Sequence, residues 1–188
     1  LAAILDALEK SLPESSRLLK GETGAEAALK NGIKLNPDLA ELALQGVRDC
    51  YERTGSVRRI RLHGDCHAGN VLWTDAGPHF VDLDDARSGP AVQDLWMLLP
   101  GDPESAAKNL RAILSGYEQF HDFARSELAL IEALRTLRLL HYSAWIGRRW
   151  DDPAFPAAFP WFGTQRYWQH RILELREQVG VMQEPPLT

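Results

Sequence analysis

The sequence is poor in cysteine, has no long apolar run and carries no excess of basic charge. Its 188 residues include only Cys50 and Cys66, which form neither a CxxC pair nor a disulfide framework and therefore suit a reducing cytosol. No apolar stretch approaches the roughly 18–20 residues that span a bilayer, and we expect no signal peptide. The net charge of -5 argues against a broad electrostatic contact with nucleic acid. We expect a cytoplasmic monomer that binds neither membranes nor nucleic acid.

Most of the chain has the apolar spacing that is typical of helices. A helix is expected over 1–12, followed by a connector. In 36–55, Asn36 is a candidate N-cap, Pro37 suits the first helical position and Gly55 is a stop signal. Further helices are expected after Pro90, over 103–120, over 126–150 and over 164–179. The proline-rich segment 151–163 is expected to be an irregular loop.

A small β element interrupts these helices. Charged and apolar residues alternate over Val57–Leu62, which predicts a short strand. Two further strands, Val71–Trp73 and His79–Val81, flank the turn Asp75–Pro78 and predict a hairpin. The fold class is therefore expected to be α+β, mainly α, with a small β-hairpin that displays acidic loops.

Six aspartates lie between Arg61 and Trp96. Asp65 follows a glycine in a loop, Asn70 stands at the edge of the first hairpin strand, and Asp82 comes from the second. Carboxylate and amide oxygens are the ligands that Mg²⁺ prefers when phosphates complete its coordination. This pattern is typical of a phosphoryl-transfer site, in which Asp65 orients an attacking hydroxyl while Asn70 and Asp82 hold the metal.

The residues His63-Gly64-Asp65 with Asn70 resemble a known catalytic loop. They fit the H-x-D-x-x-x-x-N pattern of the protein-kinase-like fold, in the H-G-D form of the aminoglycoside and choline phosphotransferases. Asp82 stands where that fold keeps its metal-binding aspartate, and Asp94 matches the aspartate that braces the catalytic loop. The longer stretches "HGDCHAGNVLW", "FVDLDDARSGPAVQDLWMLL" and "RRWDDPAFPAAFPWF" are most similar to a bacterial stress-response branch of serine/threonine protein kinases.

The resemblance implies Mg²⁺-dependent transfer of the ATP γ-phosphate to a serine or threonine of a protein substrate. Asp65 and Asp82 would be the catalytic residues, with Asn70 and Asp82 at the metal and nucleotide. His63 and Asp94 would support the loop. Two alternatives remain open: a small-molecule kinase of the same fold acting on an aminoglycoside, choline or homoserine, and a docking module without catalysis.

The resemblance is incomplete on the amino-terminal side. A complete kinase of this fold has a glycine-containing loop over the phosphates and a strand lysine paired with a helix glutamate, and the sequence shows neither. The glycine cluster of Gly21 and Gly24 follows a helix rather than a strand. We therefore expect 56–188 to be a carboxy-terminal catalytic lobe and 1–55 to be a helical segment with a hinge or connector. The amino-terminal lobe is expected to be absent from this chain, and the fragment alone to be inactive.

A metal-dependent hydrolase is a less favoured interpretation. Its H-x-D-x-H type of cluster would comprise His63, Asp65, His67, Asp82 and Asp84. Such sites usually take further histidine ligands, and the remaining histidines lack partner motifs. We expect a structural role for Asp85, paired with Arg87 or with an arginine of the long helix, and a loop-filling role for Cys66.

Overall fold

The computed structural model describes residues 37–187. Its helices are α1 (Pro37–Thr54), α2 (Pro103–Tyr117), α3 (Ile131–Arg148), α4 (Ala154–Ala158) and α5 (Gln165–Val181). Its strands are β1 (Ile60–Leu62), β2 (Val71–Thr74), β3 (Gly77–Phe80) and β4 (Arg87–Gly89). Short 3₁₀ turns cover Ala68–Asn70, Ala91–Asp94, Trp96–Leu98 and Arg125–Leu130. The predicted α+β class with mainly helical content is confirmed, while the helix and connector expected before residue 37 lie outside the described residues.

Strands β2 and β3 form the predicted antiparallel hairpin, with Thr74 opposite Gly77. Because β3 begins at Gly77, Asp75 and Ala76 alone make the turn, whereas the sequence predicted four turn residues. The hydroxyl of Thr74 accepts a hydrogen bond from the Ala76 N–H at 3.2 Å and donates to the Gly77 carbonyl at 3.2 Å. Gly77 has a φ of 107°, a conformation that favours glycine. The turn is thus closed by a threonine side chain and a glycine.

Strands β1 and β4 pair antiparallel, with Leu62 opposite Arg87 and Ile60 opposite Gly89. The predicted strand Val57–Leu62 is longer than β1, and β4 was not predicted at all. β4 has three residues, one of them glycine, and its partner is distant in sequence, so no local alternation indicates it. The pairing joins the two ends of the segment that carries the acidic loops.

The helix expected after Pro90 is replaced by two 3₁₀ turns, Ala91–Asp94 and Trp96–Leu98. Leu99 then adopts an extended conformation, with φ -86° and ψ 136°, immediately before Pro100. A residue that precedes proline is disfavoured in the helical region, so the chain cannot continue there as a regular helix. Asp94, at the end of the first turn, is held by this irregular segment.

The described residues fall into two compact units. The first, called the site unit, comprises 49–134 and 184–187. The second, called the aromatic unit, comprises 37–48 and 135–183. The hairpin, the β1–β4 pair and all of the candidate site residues belong to the site unit.

Helix α2 shows how the site unit builds its core. The carboxylate of Asp102 caps the helix by accepting the Ser105 N–H at 2.8 Å, and Pro103 occupies the first turn. Hydrogen bonds from the backbone N–H and the side chain of Ser105 lower the pKa of the Asp102 carboxyl. The buried face of α2 follows helical spacing and consists of Ala106, Leu110 and Leu114. The cap fixes where the helix starts, and the apolar face fixes how it packs.

The aromatic unit has a separate core of large rings. Ile146, Phe162 and Trp168 are buried there, and partly buried side chains pack around them: Trp145, Trp150, Phe155, Phe159, Tyr167 and Ile172. The segment predicted to be an irregular loop supplies several of these rings and contains the short helix α4. Within the described residues, no helix combines the length and the apolar character that crossing a membrane requires.

Candidate active site

The loop 63–70 leads from β1 to β2 and begins with a sharp turn at Gly64. Gly64 has a φ of 92°, which side-chain-bearing residues rarely adopt. A Cβ atom at this position would overlap the carbonyl oxygen of Asp85 and crowd the guanidinium of Arg87. Only glycine therefore lets the chain turn here and approach the segment that precedes β4. His63 and Asp65 lie on either side of this turn, at the start of the loop.

The carboxylate of Asp94 binds the beginning of this loop. Its Oδ2 accepts the His63 N–H at 2.7 Å, and its Oδ1 accepts the Gly64 N–H at 2.8 Å. The neighbouring Gln93 donates from Nε2 to the Gly64 carbonyl at 3.0 Å. The N–H and the carbonyl of Gly64 are therefore both bound by side chains of the turn Ala91–Asp94. The sequence indicated Asp94 through the family resemblance and gave no indication of Gln93.

Replacing Asp94 with alanine is expected to destabilise the protein by about 3 kcal/mol, because two backbone N–H donors lose a charged acceptor. Asp94→Asn keeps one acceptor oxygen, so it should lose roughly half as much. Urea unfolding of the two variants measures both effects. Asp122→Asn, an exposed carboxylate change in the same unit, serves as the control. Equal stability of Asp94→Ala and the parent protein would contradict the role described for this carboxylate.

The ring of His63 connects the loop 63–70 to the segment after β3. Its Nε2 lies 2.8 Å from the carbonyl oxygen of Val81, and its Nδ1 lies 3.4 Å from the backbone nitrogen of Asp65. A carbonyl oxygen can only accept, so Nε2 carries the proton and Nδ1 accepts from the Asp65 N–H. The neutral ring thus contacts both Asp65 and the residue immediately before Asp82.

Asn70 connects the same elements from the other end of the loop. The residue is 9% exposed, and its Nδ2 donates to the Asp65 carbonyl at 3.0 Å. Its own carbonyl accepts the Val81 N–H at 3.1 Å. Since the Asp65 carbonyl can only accept, the amide nitrogen must face it, and the amide oxygen Oδ1 is left for another partner. The orientation of this amide follows from the bond that holds it.

Asp82 has an unusual backbone conformation. Among the residues that the structure describes, it is the one non-glycine residue with a positive φ, 64°. Such conformations are strained and persist where the surrounding structure enforces them, often at functional sites. Asp82 is exposed and follows β3 by two residues, because that strand ends at Phe80, one residue before the predicted end at Val81. Asp82 is therefore an exposed, strained residue that directly follows Val81, whose carbonyl binds the ring of His63.

The donor set of Asn70 and Asp82 fits a magnesium ion. It offers an amide oxygen and an exposed carboxylate, which are hard oxygen ligands, and Mg²⁺ bound beside phosphates needs few ligands from the protein. Over residues 37–187, no group of three or more His, Cys, Asp and Glu side chains is arranged to hold a metal ion. The alternative of a histidine-rich hydrolase site therefore lacks its ligand cluster in this part of the chain.

The surroundings of Asp85 and Cys66 agree with the structural roles that the sequence predicted for these two residues. The carboxylate of Asp85 forms an ion pair with Arg87, whose Nε also donates to the Asp85 carbonyl at 2.7 Å, so the predicted pairing is confirmed. The thiol of Cys66 is buried. Burial, assisted by the carboxylates of Asp94 and Asp65, raises the pKa of the Cys66 thiol. The protonated thiol is a weak nucleophile, which agrees with its predicted role as a loop filler.

Glu127 is a residue that the sequence reasoning missed. It is only 3% exposed, and its Oε2 accepts the Val92 N–H at 3.0 Å, in the turn that ends at Asp94. Burial raises the pKa of the Glu127 carboxyl, against the lowering effect of the Val92 and Ala91 N–H donors. In the sequence it lies in an apolar run and has the pattern of an ordinary helix-surface glutamate. In the structure it anchors the turn that carries Asp94.

The buried carboxyl of Glu127 predicts a specific pH dependence of stability. Because its pKa is raised in the folded state, its contribution is fully present below the ordinary pKa of 4.5 and is lost as the pH rises through the folded value. Glu127→Gln cannot titrate, so the variant should gain stability relative to the parent protein across that rise. Denaturant unfolding between about pH 4 and pH 8 measures the difference. A difference that does not change with pH, or an equal change in the exposed-site control Glu104→Gln, would contradict this prediction.

The network of His63, Asp65, Asn70 and Asp94 lies within a segment that matches a known family. The model of the phosphotransferase enzyme family matches residues 3–131, which is more than half of the chain. The chain belongs to the phosphotransferase enzyme family. The resemblance stated from the His63-Gly64-Asp65 motif is thereby confirmed.

Individual proteins of known name are closely similar in sequence to this chain. Stress response kinase A of Escherichia coli strain K12 is 58% identical over 128 residues, which are 68% of the chain and 39% of that relative. Serine/threonine protein kinase RdoA of Salmonella typhimurium strain LT2 is 51% identical over 144 residues, which are 77% of the chain and 43% of that relative. The predicted similarity to the stress-response branch is confirmed. The chain spans about two fifths of the length of these curated relatives.

Proposed function

We propose that the chain carries the catalytic and metal-binding side of an ATP- and Mg²⁺-dependent kinase that phosphorylates serine or threonine in proteins. The observation that carries the proposal is a hydrogen-bonded network between Asp65, Asn70 and the backbone before Asp82. The ring of His63 joins the Asp65 N–H to the Val81 carbonyl, and Asn70 binds the Asp65 carbonyl and the Val81 N–H directly. A candidate base and two candidate metal ligands are thereby held in one small region. A scaffold without catalysis has no need for this arrangement.

In the proposed reaction, the acceptor hydroxyl oxygen forms a bond to the γ-phosphorus as the bond to the bridging oxygen of ADP breaks. Asp65 orients the hydroxyl and accepts its proton, while ADP leaves with the electron pair. Asn70 Oδ1 and the Asp82 carboxylate are the residues that would hold Mg²⁺, which supplies charge neutralisation at the phosphates. His63 and Asp94 keep the loop 63–70 in place, so they act through Asp65 rather than on the substrate.

The choice of a protein acceptor rests on the relatives. Two proteins that share more than half of their aligned residues with this chain are named as kinases, and one of them as a serine/threonine protein kinase. The H-G-D form of the loop is compatible with a small-molecule acceptor as well. The acceptor class is therefore the part of the proposal that the first experiment must address.

The test uses the full-length gene product with γ-labelled ATP, Mg²⁺ and a generic basic acceptor protein. Parallel reactions omit Mg²⁺ or carry Asp65→Asn. We expect label on serine or threonine in the complete reaction alone, as shown by phosphoamino acid analysis.

Other outcomes identify the alternatives. Label transferred to an aminoglycoside, choline or homoserine, with no protein labelled, would replace the proposal with a small-molecule kinase. No transfer to any acceptor, together with no stabilisation of the protein by Mg-ATP, would favour the docking module instead.

A further inference from the structure

His67 lies between the two ends of the loop 63–70 and contacts the candidate base. Its Nε2 is 3.4 Å from Oδ2 of Asp65, and the two side chains are 38% and 22% exposed. The sequence reasoning considered this histidine only as a ligand of a hydrolase metal. The proposed phosphoryl transfer leaves it without an assigned role.

The nitrogen of the His67 ring that carries the proton is identified by the hydrogen bond between the ring and Gly69. Nδ1 accepts the Gly69 N–H at 3.0 Å, so the neutral ring carries its proton on Nε2, the nitrogen that faces Asp65. A Cβ atom on Gly69 would lie 2.8 Å from Cε1 of the ring. The absence of a side chain at Gly69 therefore allows the ring to sit where it reaches the carboxylate.

The backbone of His67 is fixed in the same turn. Its N–H donates to the Asp65 carbonyl at 3.0 Å, and its carbonyl accepts the Asn70 N–H at 2.9 Å. The Asp65 carbonyl also accepts Nδ2 of Asn70. Main chain and ring together hold His67 relative to Asp65 and Asn70, two of the three residues that the proposed reaction uses.

We infer that His67 is a positioning residue, whose Nε2–H restrains the Asp65 carboxylate in the direction from which it accepts the hydroxyl proton. The inference rests on the proposed function, since it concerns the base of that reaction. A base that is free to rotate spends less time aligned with its substrate, and small misplacements of a reacting group lower the rate strongly. His67 touches neither phosphate nor metal in this assignment, so it acts through Asp65.

A purely structural role must be separated from this one, because His67 also caps the turn Ala68–Asn70. Asparagine at this position can still accept the Gly69 N–H, since short polar side chains commonly bond the backbone two residues on, but it is too short to reach Asp65. Glutamine is longer and can donate an amide N–H to the carboxylate. His67→Asn therefore keeps the cap and loses the contact, whereas His67→Gln restores a donor.

The experiment measures kcat, the KM for ATP, the KM for the acceptor and the melting temperature of the full-length gene product. For His67→Asn we expect a kcat lowered roughly tenfold, with the KM for ATP and the melting temperature close to those of the parent protein. His67→Gln should recover most of the loss. His170→Asn, which changes an exposed histidine of the aromatic unit, is the matched control and should leave kcat unchanged.

Two results would overturn the inference. A His67→Asn variant with the kcat of the parent protein would show that the Asp65 contact has no role. The other result is a kcat that falls only in proportion to the melting temperature across His67→Asn, His67→Gln and His67→Ala. It would show that His67 acts only as the cap of the turn Ala68–Asn70. Failure of the proposed function is distinguishable from both, because the parent protein itself would then transfer no phosphate, and the inference would fall with it.

Discussion

Replacement of Asp65 by asparagine is expected to lower kcat by about 10³-fold while the affinity for Mg-ATP stays within about twofold of the parent value. Asparagine has almost the same shape as aspartate, but its amide cannot accept the hydroxyl proton. The backbone carbonyl of residue 65, which accepts from His67 and Asn70, is unchanged by the substitution. The loop should therefore keep its fold and the proposed metal ligands should keep their places, so that the loss is confined to the chemical step.

Steady-state kinetics of the full-length gene product, with nucleotide affinity from calorimetry, separate these two effects. Asp75→Asn is the matched control, because it makes the same chemical change at an exposed position in the hairpin turn. A kcat for Asp65→Asn within tenfold of the parent value would assign the proton transfer to another group. A parallel loss of Mg-ATP affinity would place Asp65 at the metal instead.

The second large effect is expected at Asp82. Asp82→Asn should abolish the Mg²⁺-dependent part of the stabilisation by ATP and reduce kcat at least about 100-fold. The substitution removes the negatively charged member of the proposed ligand pair and leaves two neutral amide oxygens, which bind a dication more weakly than a carboxylate does. Asparagine tolerates the left-handed conformation of residue 82, so this variant removes the charge without adding backbone strain. Asp82→Ala would add strain of about 1 kcal/mol and confuse the two causes.

Thermal unfolding with and without Mg²⁺, at saturating ATP, measures the effect directly. A ligand at 100 times its Kd stabilises the native state by about 2.7 kcal/mol, which is a readily measured shift in melting temperature for the parent protein. Asp75→Asn should keep the shift. A Mg²⁺-dependent shift that survives in Asp82→Asn would exclude this carboxylate as a metal ligand.

Local sequence signals were sufficient for several elements of the fold. The cap and stop residues of α1 and the apolar spacing of α5 indicated both helices, and the turn residues Asp75–Pro78 between two short strands indicated the hairpin. β4 and the 3₁₀ turns after Pro90 were not predicted. Their conformations depend on a strand partner and on a neighbouring proline-containing segment rather than on local periodicity. Short elements of this kind contain too few residues to carry a pattern.

The candidate site was predictable only through its motif. The spacing of Asp65 and Asn70 is local, but the contact of Asp94 with His63 crosses 31 positions and came from the family resemblance. Gln93 and Glu127 were missed because each acts through a hydrogen bond to backbone, and the Val81 carbonyl was missed because it is itself a backbone group. Such bonds depend on where the main chain passes, which side-chain identity does not reveal. Glu127 in particular has nothing in its sequence neighbourhood that distinguishes a buried anchor from a solvated charge.

The Asp94 carboxylate binds backbone groups that are distant in sequence, and this separation affects when the candidate site forms during folding. The amide groups of His63 and Gly64 find their acceptor 31 and 30 positions away, and the paired residues of β1 and β4 are 25 to 29 positions apart. Closing so large an interval costs chain entropy before any of these bonds forms, so the region should be completed late in folding. It should also open as one cooperative piece, with the two amides exchanging their hydrogens together. Base and metal ligands would then be gained and lost together, and a partly folded molecule would hold neither.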